Sequence, residues 1–278
     1  MAGSGDGTVG KALEVLDHVA GFARPVRFAE LLGSSPYPKA TLYRMLQTLT
    51  STGMLSFDTD RHTYQPGVRL VRLAHSAWAQ SSLAPVARPH LDALSHDLGE
   101  TVHLAQLDSG QVLYVDKINA AQPVEMFSQA GKVGPAYCTG VGKAMLAFLN
   151  ESDLSNALTR QSYYRHTEHT LDTPEKLRVE LDAIRNRGHA YDREEHEMGI
   201  ICIAMPILSQ SGRPMGAMSI TGSTSRISME GLESYLPRLH QAADAIAKDA
   251  SAWRFPDQSG GARAVPQQKS EPPCQVSP

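Results

Sequence analysis

Three short helical patterns followed by a hairpin pattern occupy residues 8–66, and this order constrains the fold more than any other feature of the chain. Apolar residues recur at helical spacing over 9–20, and a shorter amphipathic piece spans 28–32. The run 33–36, Gly-Ser-Ser-Pro, favours a turn, and a third helical pattern follows over 39–49. Two helices joined by a short turn are typical of helix-turn-helix units that bind DNA.

The third helix has one apolar and one polar face. Its apolar face is predicted to be buried and consists of Leu42, Met45, Leu46 and Leu49. A helix in the major groove needs polar side chains on the face opposite its core. The residues expected to contact DNA from this helix are Lys39, Thr41, Tyr43, Arg44 and Gln47. Among them Arg44 is the best candidate for a base edge, and the alternative is a polar face that is only solvated.

Two β-prone segments, 54–57 and 62–65, surround a turn over 58–61 and predict a hairpin. Arg61 and His62 at its tip are expected to reach the DNA backbone or the minor groove. The sequence therefore predicts a winged helix-turn-helix domain over residues 1–66.

Charge and cysteine content limit the other possibilities. The chain carries a net charge of -3, of which residues 1–75 contribute +2, so the remainder carries -5 and attraction to DNA is local to the first domain. Three widely spaced cysteines form no CxxC pair, so we expect no disulfide framework, no metal site and no other cofactor. The chain shows no signal-peptide pattern and no apolar run of 18 residues, which predicts a cytoplasmic protein without a membrane segment.

The rest of the chain predicts a linker and a second domain. An apolar stripe over 67–84 predicts a helix that joins the domains and pairs with a second copy. Paired β-rich segments around the turns 108–110 and 209–212, with helices between them, predict an α+β domain over 85–254. Residues 255–278 are rich in Pro, Gln, Ser and Gly without periodicity, so we expect a disordered tail.

These segments together resemble one protein family. PKATLYRMLQTLTSTGML (38–55) is similar to the DNA-binding domain of IclR-type transcriptional regulators. GETVHLAQLDSGQVLYVDKI (99–118), GKVGPAYCTGVGKAMLAFL (131–149) and RGHAYDREEHEMGIICIAMPILSQSGRPMGAMSITG (187–222) are similar, in order and spacing, to that family's effector-binding domain. The resemblance covers about residues 10–250. It implies a GAF-like effector-binding domain and a homodimer or homotetramer on a double-stranded DNA operator.

The resemblance also implies a ligand pocket. Effector contacts of the family would fall here on Met126, Gly134, Gly140, Val141, Asp192, Cys202, Ser219 and Thr221. Ser219 and Thr221 lie two apart on a predicted strand and therefore share a face. The segment 140–143, Gly-Val-Gly-Lys, is expected to start a helix that Thr139 caps. The backbone amides of Gly140 and Val141 at this helix start suit an anion, although a glycine-containing segment also fits a closely packed turn. The segment lacks the residue spacing of a Walker nucleotide-binding loop, so we do not expect it to bind a nucleotide.

Three functions compete at this point. The favoured one is a transcriptional regulator without catalytic activity, controlled by a small organic acid. The second is a small-molecule hydrolase that uses Cys202, His196 and Asp192 and carries an accessory DNA-binding-like module, although Cys202 lies in an apolar strand where a reactive thiolate is disfavoured. The third is a structural DNA-binding protein whose pocket is vestigial.

Overall fold

The computed structural model describes residues 7–121 and 126–251, and its first part is a winged helix-turn-helix domain, as predicted. The elements are α1 (Thr8–Gly21), β1 (Val26–Arg27), α2 (Phe28–Ser34), α3 (Lys39–Ser51), β2 (Leu55–Asp58) and β3 (Thr63–Pro66). The strands form an antiparallel sheet in the order β1-β3-β2. The two-residue strand β1 was not predicted, because a strand this short has no alternation to detect.

The core of this domain forms around the apolar face of α3. Leu42, Met45, Leu46 and Leu49 are all buried, as the helical spacing predicted. They pack with apolar residues of α1 and α2 in one cluster. Pro38 caps the start of α3 with its carbonyl, which accepts the backbone N–H of Leu42 at 3.0 Å. The burial of one face fixes the opposite, polar face of α3 toward solvent.

The predicted linker helix is present as α4 (Val68–Ser81), and α5 (Ala84–Leu98) follows it. The apolar stripe of α4 divides between two surroundings. Leu70 packs against the core of the winged domain, whereas Val68 and Val71 are exposed. Near the other end of α4, the indole Nε1 of Trp78 donates a hydrogen bond to the carbonyl oxygen of Val115 at 3.2 Å. The linker helix thus contacts both domains.

The second domain is an antiparallel sheet with helices on both faces, which confirms the predicted α+β class. Its elements are β4 (Thr101–Asp108), β5 (Gln111–Ile118), β6 (Val133–Gly134), α6 (Gly140–Leu146), α7 (Glu151–Thr159), α8 (Pro174–Arg187), β7 (Ala190–Arg193), β8 (Ile200–Leu208), β9 (Pro214–Ser223), α9 (Met229–Glu233) and α10 (Leu236–Ala250). The strand order is β6-β5-β4-β9-β8-β7. The short elements α7, β6 and β7 were not predicted.

The two faces of the sheet differ in side-chain size. One face packs large apolar residues against α5 and α10, and these include Leu104, Ile203 and Ile220. The other face carries small residues such as Ala204 and Ala217, and α6 lies against it. Because small side chains allow a close approach, α6 lies directly on this face, and a cavity forms beside it over His103, Ser219 and Thr221.

Two further observations complete the description. No helix within 7–121 and 126–251 is both long and apolar enough to cross a bilayer. The expected tail, 255–278, lies outside the described residues.

Candidate functional site

The polar face of α3 is presented to solvent as one continuous surface. Lys39, Tyr43, Arg44 and Gln47 are exposed, and Thr41 is half-buried. The Tyr43 ring packs edge-on against Phe28 of α2 with ring centroids 6.0 Å apart, so this ring is partly held in place. These positions suit a helix that enters the major groove.

The hairpin between β2 and β3 presents the other residues expected to contact DNA. At its tip the Asp58 carboxylate accepts the backbone N–H groups of Asp60 and Arg61 at 2.9 and 3.0 Å. These hydrogen bonds, that of Arg61 above all, lower the pKa of Asp58 and keep it ionised. His62 adopts a left-handed backbone with φ of 54°, and both Arg61 and His62 are exposed. The tip is therefore an ordered turn that projects two basic side chains.

The second candidate site is a polar patch on the sheet face that α6 covers. Strand register pairs His103 with Ser219 across β4 and β9, and Thr221 with Cys202 across β9 and β8. It also pairs Cys202 with Asp192 across β8 and β7. Paired residues on adjacent strands point to the same side of a sheet. Five polar side chains from four strands therefore share one surface.

A cavity that is partly open to solvent lies over this patch, and the space between atoms there, solvent-open part included, is about 420 Å³. Of the effector residues expected from the sequence, it is lined by Met126, Gly140, Val141, Asp192, Cys202, Ser219 and Thr221. Gly134 does not line the cavity and packs instead against the rings of Phe127 and Tyr114, which a Cβ at this position would approach to 3.2 and 3.4 Å. The lining also includes residues that the sequence did not assign to an effector, namely His103, Tyr114, Phe127, Ser128, Thr139, His196, Glu197 and Ile200.

His103 is the centre of the polar network in this cavity. Its Nε2 lies 2.8 Å from the Ser128 hydroxyl, and its Nδ1 lies 3.2 Å from that of Thr221 and 3.4 Å from that of Ser219. Burial, with a smaller contribution from the positive charge of Lys117, lowers the pKa of His103 to about 3. The imidazole is therefore neutral at physiological pH. The sequence signal that could have indicated this position is a histidine between the apolar residues Val102 and Leu104.

A buried ion pair lies beside the cavity. The Lys143 ammonium of α6 donates to the Glu195 carboxylate, and both side chains are buried. Asp192 accepts the backbone N–H of Glu195 at 2.8 Å, which fixes the turn after β7. Burial and the nearby Glu195 charge raise the pKa of Asp192 to about 7. Asp192 thus has a structural partner as well as a place in the cavity wall.

The start of α6 differs from the open anion site expected from the sequence. Thr139 occupies the N-cap position, but its hydroxyl donates to the Pro135 carbonyl at 2.7 Å and does not cap the helix. Gly140 approaches β8 so closely that a Cβ there would lie 2.5 Å from the Cys202 sulfur. The start of α6 is therefore closely packed on β8 at Gly140.

The geometry disfavours the hydrolase alternative. Burial, together with the charge of Asp192, raises the pKa of the Cys202 thiol, whereas a nucleophilic cysteine needs a lowered one. His196 lies with its Nδ1 3.6 Å from the Glu197 carboxylate, and its ring packs between His166 and Phe127. The Asp192 carboxylate accepts the backbone N–H of Glu195 in the turn after β7. These three residues share a cavity without the relay that nucleophilic catalysis requires. Within the described ranges, no group of three or more His, Cys, Asp or Glu side chains is arranged to hold a metal.

Comparison with known proteins assigns both domains to one family. Residues 8–59 match the family model for the IclR helix-turn-helix domain, and residues 75–248 match that for the bacterial transcriptional regulator IclR C-terminal domain. The HTH-type transcriptional regulator KdgR of Escherichia coli is 32% identical over 236 residues, which cover 85% of this chain and 90% of KdgR.

Solved structures share the architecture. The Thermotoga maritima IclR structure superposes with a TM-score of 0.70 and 30% identity, covering 88% of this chain and 98% of that one. An IclR homologue from Microbacterium hydrocarbonoxydans, solved with 4-hydroxybenzoate, has the same fold, with a TM-score of 0.75, 21% identity, and coverage of 88% of this chain and 100% of that one. From the matches over both domains, this chain belongs to the IclR family of bacterial transcriptional regulators.

Proposed function

We propose that α3 and the hairpin tip of this regulator bind operator DNA, and that a small carboxylic acid in the cavity alters that binding. The observation that carries the proposal is the pair of buried hydroxyls of Ser219 and Thr221, which line the cavity beside the neutral His103. Hydroxyl donors bind a carboxylate through charge-assisted hydrogen bonds. Apolar side chains such as Met126 and Ile200 limit the size of the ligand.

The proposed DNA interface makes two kinds of contact, one to base edges and one to phosphates. Arg44 lies near the middle of the exposed face of α3, where a guanidinium reaches a base edge. Lys39 at the start of α3 and Arg61 at the hairpin tip lie where phosphates flank the groove. Base contacts set the sequence preference, whereas phosphate contacts set overall affinity and its salt dependence.

The assembly is proposed to be a homodimer or a homotetramer that acts in the cytoplasm. The support for oligomers is the exposed apolar surface of α4, where Val68 is 77% and Val71 is 67% exposed. Apolar residues this exposed on one helix face favour association with a second copy, and a symmetric dimer would present two α3 helices to two half-sites.

The structure suggests a route from the cavity to the linker helix. Tyr114 lines the cavity, and its ring centroid lies 5.6 Å from that of His103. The next residue, Val115, accepts the hydrogen bond from Trp78 of α4. A ligand that displaces Tyr114 would change the strand that α4 contacts. A ligand shifts the equilibrium between the arrangements with and without this displacement only if its affinities for the two differ.

The proposal is tested by a thermal-shift screen of small carboxylic acids, followed by calorimetric titration of the best one into parent, Ser219→Ala and Ser223→Ala proteins. Ser223 lies on the same strand but outside the cavity, so it serves as the matched control. We expect Ser219→Ala alone to weaken binding, by about 0.5–1.5 kcal/mol or up to about 3 kcal/mol for a charge-assisted bond. If no acid raises the melting temperature, or if both variants bind as the parent does, the cavity is not the effector site.

A further inference from the structure

We propose that His103 is a specificity-determining residue, which makes the cavity select acids that carry a hydroxyl group at the end opposite the carboxylate. The inference deepens the proposed function and rests on it, because it takes the cavity to be the effector site. It is carried by one chain of hydrogen-bonding groups that runs along the cavity wall, Ser128–His103–Thr221–Ser219. We refer to these four residues as the histidine relay.

The relay is continuous and buried. Ser128 reaches Nε2 of His103 at 2.8 Å, Nδ1 reaches Thr221 at 3.2 Å, and the hydroxyls of Thr221 and Ser219 lie 3.4 Å apart. All four residues are at most 7% exposed, and all four line the cavity. A buried polar group without a partner is costly, so each of these groups must either pair within the relay or pair with the ligand.

A neutral imidazole has one N–H donor and one acceptor nitrogen, so the relay runs in one direction at a time. When the Ser219 and Thr221 hydroxyls both donate to a ligand carboxylate, Nδ1–H of His103 donates to the Thr221 oxygen. The Ser128 hydroxyl must then donate to Nε2. Its proton is committed, and the Ser128 oxygen faces the cavity only as an acceptor. A carboxylate at one end of the relay therefore requires a donor group at the other end.

The Ser128 end of the relay also offers a second acceptor. Glu197 accepts the backbone N–H of Phe127, the neighbour of Ser128, at 2.8 Å. The neighbouring His196 imidazole, 3.6 Å away, lowers the pKa of Glu197, so this carboxylate is ionised. The Lys117 ammonium donates to the Ser128 carbonyl oxygen at 2.9 Å and offsets the Glu197 charge there. The two hydroxyl donors of Ser219 and Thr221 therefore assign the carboxylate to the Ser219 end, and the acceptors at the Ser128 end take the ligand hydroxyl.

The test compares acids that differ by one hydroxyl. Parent protein is titrated calorimetrically with 4-hydroxybenzoate against benzoate, 4-hydroxybutyrate against butyrate, and glycolate against acetate. In at least one pair we expect the hydroxylated acid to bind about 2- to 12-fold more tightly, the equivalent of one net hydrogen bond. Equal affinities within every pair that binds would overturn the inference, while leaving the cavity as a carboxylate site.

Two substitutions at His103 then separate a role in recognising the ligand hydroxyl from a purely structural role. His103→Asn retains an amide near the position of Nδ1 but does not reach Ser128. It should therefore lose the hydroxyl preference and weaken the binding of both acids less than His103→Phe does. His103→Phe should lose the preference and also weaken the binding of both acids, because it leaves the relay hydroxyls unpaired. A hydroxyl preference that persists in both variants would overturn the inference.

The Ser219→Ala variant distinguishes failure of the hydroxyl-selection inference from failure of the proposed function. It should weaken both members of a pair by the same factor and leave their ratio unchanged. If no acid in the three pairs binds the parent, the carboxylate site fails and the inference fails with it. A spectroscopic readout is independent of affinity: with the tighter acid bound, ¹⁵N shifts should show His103 neutral and protonated at Nδ1, and protonation at Nε2 instead would contradict the relay direction.

Discussion

The contact between Gly140 and Cys202 gives the sharpest test of how α6 is seated on the sheet. A Cβ at position 140 would lie 2.5 Å from the Cys202 sulfur, about 1 Å closer than an ordinary van der Waals contact. The sulfur is buried within β8. Overpacking of this kind typically costs about 1–3 kcal/mol, so we expect Gly140→Ala to lower the free energy of unfolding by about 2–3 kcal/mol.

Removal of the sulfur should relieve most of that cost. Cys202→Ala alone should cost about 1 kcal/mol, because it deletes one buried apolar atom. In the double variant the new methyl group occupies the space of the lost sulfur, so the two effects should fall short of additivity by about 2 kcal/mol. The measurement is urea unfolding at a fixed pH, with the midpoints of all four proteins compared at equal m-values.

Gly142→Ala is the matched control on the same helix. Its Cβ would lie 2.4 Å from the Ala136 carbonyl oxygen, which is backbone and is not removed by Cys202→Ala. The Gly142 and Cys202 effects should therefore add within about 0.5 kcal/mol. Additive effects for the Gly140 and Cys202 pair as well would refute the close seating of α6 against β8.

Four further predictions concern separate parts of the molecule. Arg44→Ala should weaken specific operator binding by about 1–3 kcal/mol in fluorescence anisotropy, whereas Lys39→Ala should weaken binding to all sequences and flatten the salt dependence; equal losses on operator and random DNA for Arg44→Ala would exclude a base contact. Val68→Glu with Val71→Glu should yield a smaller species in sedimentation, and an unchanged mass would exclude this face of α4 from the subunit interface. Trp78→Phe removes the hydrogen bond to Val115 together with part of the indole ring, and it should reduce the ligand effect on operator affinity while both binding reactions persist; an unaltered ligand effect would exclude this route. Between pH 4 and 7 the folded chain holds a proton on Asp192 that the unfolded chain has released, so the stability of the parent falls as pH rises. Between pH 5 and 8, Asp192→Asn should therefore gain about 2 kcal/mol of stability relative to the parent. A stability difference in urea unfolding that stays constant with pH would count against the raised pKa of Asp192.

The sequence predicted the elements that have strong local signals. Helices α3 and α8 have clear apolar periodicity and recognisable first turns, and α8 starts with a Thr173 N-cap followed by Pro174. The hairpin β4–β5 has a two-residue turn, Ser109-Gly110, with positive φ at both positions, which favours glycine and other small residues. Local patterns of this kind are independent of tertiary contacts and are readable from the chain alone.

Tertiary placement explains what the sequence missed. His103 enters the cavity because the register of β4 and β9 sets it opposite Ser219, more than a hundred residues away in the chain. The Lys143–Glu195 ion pair is likewise a long-range contact, which spacing along the chain does not indicate. The predicted pocket residues came from family resemblance, which gave their identities but not the relay that joins Ser128 to Thr221.

The most direct test of the account is operator binding measured with and without a bound acid. DNA selected by the protein itself from a random library serves as the operator, and fluorescence anisotropy gives its affinity for the parent, Ser219→Ala and Ser223→Ala proteins. The account predicts that an acid at saturating concentration for the parent changes operator affinity by about 1–3 kcal/mol in the parent and in Ser223→Ala. At the same acid concentration the change should be smaller in Ser219→Ala, whose affinity without acid stays close to that of the parent. An acid that binds the cavity and leaves operator affinity unchanged in the parent would contradict the central claim.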